Sequence, residues 1–535
     1  MESQRQSAPI TNATRVWLVA FLHGALLTAH AASVGAQATA ARPLVYGATL
    51  PLVPLDALTN EWTEASAALL SRLYTIDPSG RLVGDLVEAH EVSADGRTWT
   101  LRLRRGVRWH DGTPFTSADV LFTFAALRRT APGTARWRDL DVIDRFEAPG
   151  PHAFVVHLKA PRPGLAVPLV DVPILPRHVL EGHDVAEGRV FDARPIGTGP
   201  YRLAERPGDG RLVLEAHESY HLGRPSIQRL VMVPLENDEA RARAVAESTV
   251  DLAHVKPQHM TLVQGRDDVR LYRYRSGIWR SLVLNVRQPH LQDRRVRQAI
   301  ALALDRDAMV AEGLLGVGEP AFSAIPPISW AYAPPVRPPG RDLPRARALL
   351  DEAGWRVGSE GWRARDGRVF ELALAVWWDE PFRRAASEVV KRNLESIGLR
   401  VRFVRIPGER YEAVAASLGA EHDGIISGYS GLLDPGDNLA SKYRTGGSQN
   451  AGGYSNPELD ALLDRALQEA DRERARALYR QALPIIEADA ARIPLVYVDY
   501  LFGARRELRG MGDDVLDLYY HFPRLAYTLA WPDGR

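Results

Sequence analysis

The chain has 535 residues, enough for three or four domain-sized units, and is 45% hydrophobic and 25% charged, which excludes intrinsic disorder and collagen-like repeats. Lys and Arg total 67 against 66 for Asp and Glu, a formal charge of +1 with no basic tract, which argues against a nucleic-acid partner. There is no cysteine, so disulfides, thiolate catalysis, Cys-ligated zinc and iron–sulfur clusters are ruled out. Nearly all positive charge is arginine. Lysine stands only at Lys159, Lys256, Lys391 and Lys442, which reads as GC-rich coding rather than function.

At the N-terminus Arg5 and Arg15 precede an apolar run from Val16 to Leu22 that continues past His23-Gly24 to Leu27. Val34-Gly35-Ala36 then offers a small-x-small cleavage site, so residues 1–36 are predicted to be a secretory signal peptide and the mature chain to begin at Gln37. The run falls short of the roughly 20 apolar residues that span a bilayer. With no cysteine beside the cleavage site the mature protein carries no lipid anchor. A periplasmic location is expected.

Residues 43–50 read as a strand and 61–74 as a helix with Ala65, Leu69, Leu70 and Leu73 on one face. After the Asp95-Gly96 turn, 98–104 alternates, with Trp99, Leu101 and Leu103 on one side. Thr116 to Asp119 resembles a capping box opening a helix through Leu127, and Phe154, Val156 and Leu158 mark another half-buried strand. Residues 293–313 carry the apolar stripe Val296, Ala299, Ile300, Ala303, Leu304 of one amphipathic helix. The proline-rich stretch 325–344 excludes regular structure. Beyond it come a helix over 343–353, a strand over 370–377, a helix over 381–397 and a strand over 399–406. Asn456-Pro457 sets an N-cap with proline at the first helical position, and two helical segments precede a strand at 493–498. Interleaved strands and helices give an α/β or α+β class.

Motifs that carry chemistry are missing. Gly428-Tyr429-Ser430-Gly431 falls one residue short of a G-x-S-x-G nucleophile elbow. Gly197-Thr198-Gly199-Pro200 lacks the third glycine of a dinucleotide loop, and Pro200 removes an amide. His178 and His183 are spaced wrongly for two ligands on one helical face. No enzyme, cofactor or metal is therefore expected. Aromatic rings beside turns do stand out: Trp62, Trp279, Trp377, Trp378 and Tyr429 fall near predicted strand ends or loops, where large rigid rings suit a ligand cleft as well as a core. Adjacent strand residues point to opposite faces, so Trp377 and Trp378 need two different environments.

Several segments resemble the extracytoplasmic solute-binding proteins of ATP-driven importers, in the large peptide/nickel-binding family, family 5. The run from Arg97 to Val120, Arg97-Thr98-Trp99-Thr100-Leu101-Arg102-Leu103-Arg104-Arg105-Gly106-Val107-Arg108-Trp109-His110-Asp111-Gly112-Thr113-Pro114-Phe115, then Thr116-Ser117-Ala118-Asp119-Val120, carries hairpin and helix start in the family's order. Pro195-Ile196-Gly197-Thr198-Gly199-Pro200-Tyr201, the stretch from Asn285 to Asp307, Asp434-Pro435-Gly436-Asp437-Asn438 and Tyr454-Ser455-Asn456-Pro457-Glu458-Leu459-Asp460 match later family motifs. The likeness runs from about residue 43 to the C-terminus.

It implies a periplasmic-binding-protein-like two-lobed α/β fold with an extra inserted domain. Domain I is expected over 37–59, 195–275 and 494–535, domain II over 60–194 and domain III over 276–493. It implies a monomer that captures a peptide or peptide-like solute by hinge closure and delivers it to permease subunits in the inner membrane, which leave ATP hydrolysis to other partners. The ligand-binding residues expected are Asn60, Trp62, Trp279, Trp377, Trp378, Asp379, Tyr429, Ser430 and Asp434. The peptide binders place an aspartate for the α-amine where this chain has Leu432. The dipeptide binders place a carboxylate-binding arginine after the strand that here ends Trp377-Trp378-Asp379, with Arg383 and Arg384 a little further on. An oligosaccharide is the alternative ligand, nickel is disfavoured for want of a histidine cluster, and an exported hydrolase or a membrane-receptor sensor are the alternative functions.

Overall fold

The structure is a computed structural model that describes residues 42–49, 52, 55, 64–77, 81–130, 140–333, 340–430, 435–512 and 526–532; for residues 130, 429 and 430 it describes the backbone alone. The predicted leader 1–36 lies outside the described residues, as do Asn60, Trp62 and Asp434. Among the described residues no helix is long and apolar enough to cross a membrane.

The alternating TWTLRL segment forms strand Thr98–Leu103, with Trp99, Leu101 and Leu103 buried and Thr100 and Arg102 exposed. It sits inside a four-stranded antiparallel sheet ordered Val87–Val92, Thr98–Leu103, Ala153–Leu158, Ile143–Gly150. Phe124 of helix Ser117–Thr130 packs on Phe146 and Phe154 of this sheet. Asp119 closes the start of that helix by accepting from the Thr116 amide at 2.9 Å. The helix expected over 61–74 is shorter, Glu64–Leu69, because the chain turns and Tyr74–Ile76 pairs as a strand with Leu82–Gly84.

The larger sheet runs Arg400–Ile406, Glu371–Trp377, Gly424–Ser430, Val269–Leu284, Arg492–Arg505, Leu252–Val255, Leu44–Ala48, Arg229–Pro234, Leu212–Ala216, Tyr201–Glu205. It is two half-sheets joined by two long strands, Val269–Leu284 and Arg492–Arg505. On one side of the junction these two pair from Val269↔Arg505 to Arg275↔Asp499, and on the other they resume at Trp279↔Tyr497. Ser276, Gly277 and Ile278 thus bulge opposite Val498. The Ser276 hydroxyl fastens the bulge, donating to the Val498 carbonyl at 2.6 Å and accepting from the Ile278 amide at 3.0 Å. Each half contains parallel pairs: Glu371–Trp377 lies parallel to both Arg400–Ile406 and Gly424–Ser430, and Leu44–Ala48 lies parallel to both Arg229–Pro234 and Leu252–Val255. The central strands of these pairs, Glu371–Trp377, Leu44–Ala48 and Leu252–Val255, are buried along most of their length, as parallel strands with both faces covered are, whereas the edge strand Arg400–Ile406 exposes Arg400, Arg402 and Arg405.

The single helix expected over 293–313 is two, Arg294–Ala303 and Arg306–Gly313. Leu304 leaves the helical region with ψ 128, and Asp305 caps the second helix by accepting from the Ala308 amide at 3.0 Å. Helices Pro381–Glu395 and Pro457–Gln468 begin where the sequence places them, each with proline in the first turn and Glu380 or Asn456 as cap. Val296, Ala299, Ile300 and Ala303 pack against Leu372, Leu374 and Val376, which closes one face of the Glu371–Trp377 half-sheet.

Candidate functional site

The carboxyl ends of parallel strands are where an open α/β sheet receives ligands. In this chain such ends from both half-sheets converge near the bulge. Leu252–Val255 delivers Lys256, Leu44–Ala48 delivers Thr49, Glu371–Trp377 delivers Trp377 and the turn to Glu380, and the crossing strand places Arg280 two residues beyond the bulge.

The turn after Trp377 builds one wall. Glu380 caps helix Pro381–Glu395 by accepting from the Arg383 amide at 2.7 Å, and its carboxylate lies 3.3 Å from the Arg383 guanidinium. That guanidinium donates to the Tyr411 hydroxyl at 2.9 Å and sits 4.2 Å from the Tyr411 ring centre and 5.3 Å from that of Trp377. The Trp377 and Tyr411 rings are 5.3 Å apart. Gly408 is the residue that admits the Trp377 indole, since a Cβ there would come within 3.1 Å of it. Trp378 points elsewhere, 5.7 Å from Phe403 and under the Arg405 guanidinium, so the two adjacent indoles do occupy different environments.

Arg280 is the centre of the charge pattern. It lies opposite Gly428 in the strand register, and its guanidinium runs across that glycine: a Cβ at 428 would stand 1.8 Å from Arg280 Nη1. Among the described residues Arg280 makes no hydrogen bond or ion pair, and its buried Nε is unpartnered. Burial, and next the charge of Arg383, pull its guanidinium below the usual range. Lys256 is likewise half-buried and without a hydrogen-bond or ion-pair partner among the described residues. Burial first, then the charge of Arg280, lower its ammonium to about 8, against the attraction of Glu380 and with further repulsion from Arg241. On the far wall Glu64 accepts from Tyr46 Oη at 2.5 Å and the Thr49 amide at 2.7 Å, and burial raises its carboxyl above the usual carboxylate range.

Of the residues expected from the sequence, Trp377 lies in this wall, Trp378 flanks it and Asp379 is exposed on the turn. Trp279 is fully buried, packed with Ala321, Ile325, Leu439 and Tyr443: its ring belongs to the core beneath the site, on the strand face opposite Arg280. Tyr429 and Ser430 end the Gly424–Ser430 strand, with Tyr429 paired to Trp279 in register. Sequence reading missed Lys256, Arg280, Glu380 and Tyr411. A charged residue inside the run Ile278–Leu284 and one of only four lysines were the available signals.

A second feature spans the two parts of the chain. A cavity of about 630 Å³ is lined by Leu82, Arg162 and Val167 on one side and Trp330, Asp437 and Tyr479 on the other. Arg162, after the small sheet, forms an ion pair with Asp437 of helix Pro435–Tyr443 across it.

Two half-sheets joined by two long strands, with strand ends from both meeting at Arg280 and Lys256, give the two-lobed α/β architecture of a periplasmic binding protein. Residues 81–451 match the family described as bacterial extracellular solute-binding proteins, family 5 (middle region), and the chain belongs to this family. It is 30% identical to Protein XP55 of Streptomyces lividans over 93% of this chain and 91% of that protein. It is 26% identical to the glutathione-binding protein GsiB of Pectobacterium atrosepticum over 97% and 98% of the two chains. Among solved structures, the oligopeptide-binding protein AppA of Bacillus subtilis in complex with a nonapeptide superposes with a TM-score of 0.73 at 22% identity, covering 92% of this chain and all (100%) of that one.

Proposed function

We propose that this protein is the substrate-binding component of an ATP-driven importer, exported to the periplasm after cleavage at Gln37. It captures a peptide or peptide-like solute between its lobes and presents it to a membrane permease, as a monomer. The observation that carries this reading is the convergence of strand ends from both half-sheets at a bulge in the only two long strands, among the described residues, that join them. Contacts from both sides favour the closed form, and a ligand shifts that equilibrium only by its differential affinity for it. The names of AppA and GsiB support a peptide-like solute. On this reading domain I comprises 37–59, 195–275 and 494–535, domain II 60–194 and domain III 276–493. Tyr429, Ser430, Trp377, Trp378 and Asp379 form the wall on one lobe, over Trp279, and Asn60, Trp62 and Asp434 complete the site. Small-angle scattering of the ligand-stripped protein, titrated with a mixture of defined di- to pentapeptides, tests it: the radius of gyration falls on binding. An unchanged radius at saturation, with binding proved by calorimetry, overturns the hinge mechanism.

A further inference from the structure

The reading above leaves open what the solute carries, and the charge arithmetic of the site answers it. Arg383 is matched by Glu380, and Arg241 by Asp238, with which it forms an ion pair. Glu64 is taken up by Tyr46 and Thr49. Asp379 stands exposed on its turn. Among the described residues Arg280 and Lys256 remain, two cations close enough to repel one another, with Glu380 the one described carboxylate that acts on both and already engaged by Arg383. An unpaired charge withdrawn from water is costly unless a partner arrives. Moreover, the arginine is deliberately accommodated: only glycine at 428 leaves room for its guanidinium.

We propose that Arg280 and Lys256 form the receiving site for an acidic group of the captured solute, so that the protein selects peptides rich in carboxylates over neutral and basic ones. The two cations come from opposite half-sheets, Lys256 from the end of Leu252–Val255 and Arg280 from the crossing strand beyond the bulge. An anion between them therefore engages both lobes, and closure and charge recognition become one event. Arginine offers a planar fork to a carboxylate, and lysine adds a point charge.

The proposal rests on the peptide-capture reading, and its test separates the two. Ligand-stripped protein is titrated calorimetrically with length-matched tripeptides: tri-alanine, its C-terminal amide, Ala-Glu-Glu and Ala-Lys-Lys, with inorganic phosphate and citrate as non-peptide anions. The expected result is Ala-Glu-Glu binding about tenfold to a hundredfold tighter than tri-alanine, the worth of one or two charge-assisted contacts. In Arg280→Met and in Gly428→Ala that ratio collapses toward one, while Arg400→Met, a change at an exposed edge-strand arginine, leaves it intact. Circular dichroism confirms that each variant is folded, and Lys256→Met, which removes a buried charge without removing its stem, gives the same collapse by an independent route. Equal affinity for acidic and neutral tripeptides overturns the proposal and leaves peptide capture standing. Citrate or phosphate binding that depends on Arg280, with no tripeptide binding, upholds the anion site and overturns the peptide reading. Failure of every acidic probe to bind overturns the anion site.

Discussion

Replacing Lys256 by methionine should make the ligand-free protein more stable, the reverse of what removal of a structural lysine does. The stem keeps its packing and the ammonium is lost. Folding takes that ammonium from an ordinary 10.5 to about 8, through burial and through the charges of Arg280 and Arg241, with Glu380 offsetting part. A change of that size is worth about 3 kcal/mol against the folded state wherever both states are protonated. The sign follows from linkage. Below about 8 the folded protein bears the whole penalty; between about 8 and 10.5 the unfolded chain binds more protons, so wild-type stability rises with pH. Lys256→Met lacks this titration. Its advantage is therefore full at neutral pH and shrinks as pH climbs through that window. For a chain of this size about 3 kcal/mol corresponds to roughly 3 °C in the thermal midpoint. Scanning calorimetry of wild type and variant at about pH 7 and about pH 9.5, both stripped of ligand, reads the difference directly. A lower midpoint for the variant at neutral pH would refute the reasoning, since it would mean that the ammonium is paired in the folded protein. The same titration acts on ligand: affinity for an acidic tripeptide should fall as pH rises past the folded-state value, because the neutral amine no longer attracts it.

Trp279→Ala should lower stability by about 3–5 kcal/mol, the usual cost of emptying a buried indole site, as urea denaturation will measure. Tyr429 is paired in register with the core residue Trp279, so Tyr429→Ala tests its proposed place in the site: a ring at the ligand predicts solute binding weakened about fivefold to a hundredfold with the ligand-free midpoint almost unchanged, and a destabilised protein with unaltered affinity removes Tyr429 from the site. Asp437→Asn severs the pair with Arg162 across the 630 Å³ cavity and should enlarge the radius of gyration of the ligand-free protein, with scattering as the check.

Local patterns were plain in the sequence, and pairings between distant segments were not. Alternation in Thr98–Leu103 and the caps at Asp119 and Asn456 need only neighbours, and each falls where the spacing places it. The break at Leu304-Asp305 was hidden because the apolar stripe continues through it, and only a capping aspartate marks the new start. Alternation told that Trp377 and Trp378 need separate surroundings, and it holds equally for Trp279 and Arg280, but it does not say which face is core. Arg280 becomes meaningful only when register sets it against Gly428, on a strand far away in sequence. Lys256 acquires its lowered ammonium from burial first and from Arg280 next, and both arise only once the two half-sheets are assembled.

The bulge at Ser276-Gly277-Ile278 opposite Val498 has a modular consequence. The stretch that leaves the first half-sheet at the bulge returns to it on the adjacent strand, so its entry and exit points are side by side. Such a stretch can be exchanged between relatives as a cassette, with both splices made inside one short patch of strand pairing. Arg280 would travel with the cassette and Lys256 would stay behind. A chimera assembled at this joint would therefore inherit one cation of the pair from each parent, and its taste for acidic solutes would reveal how far recognition in these proteins is a property of two inherited halves meeting.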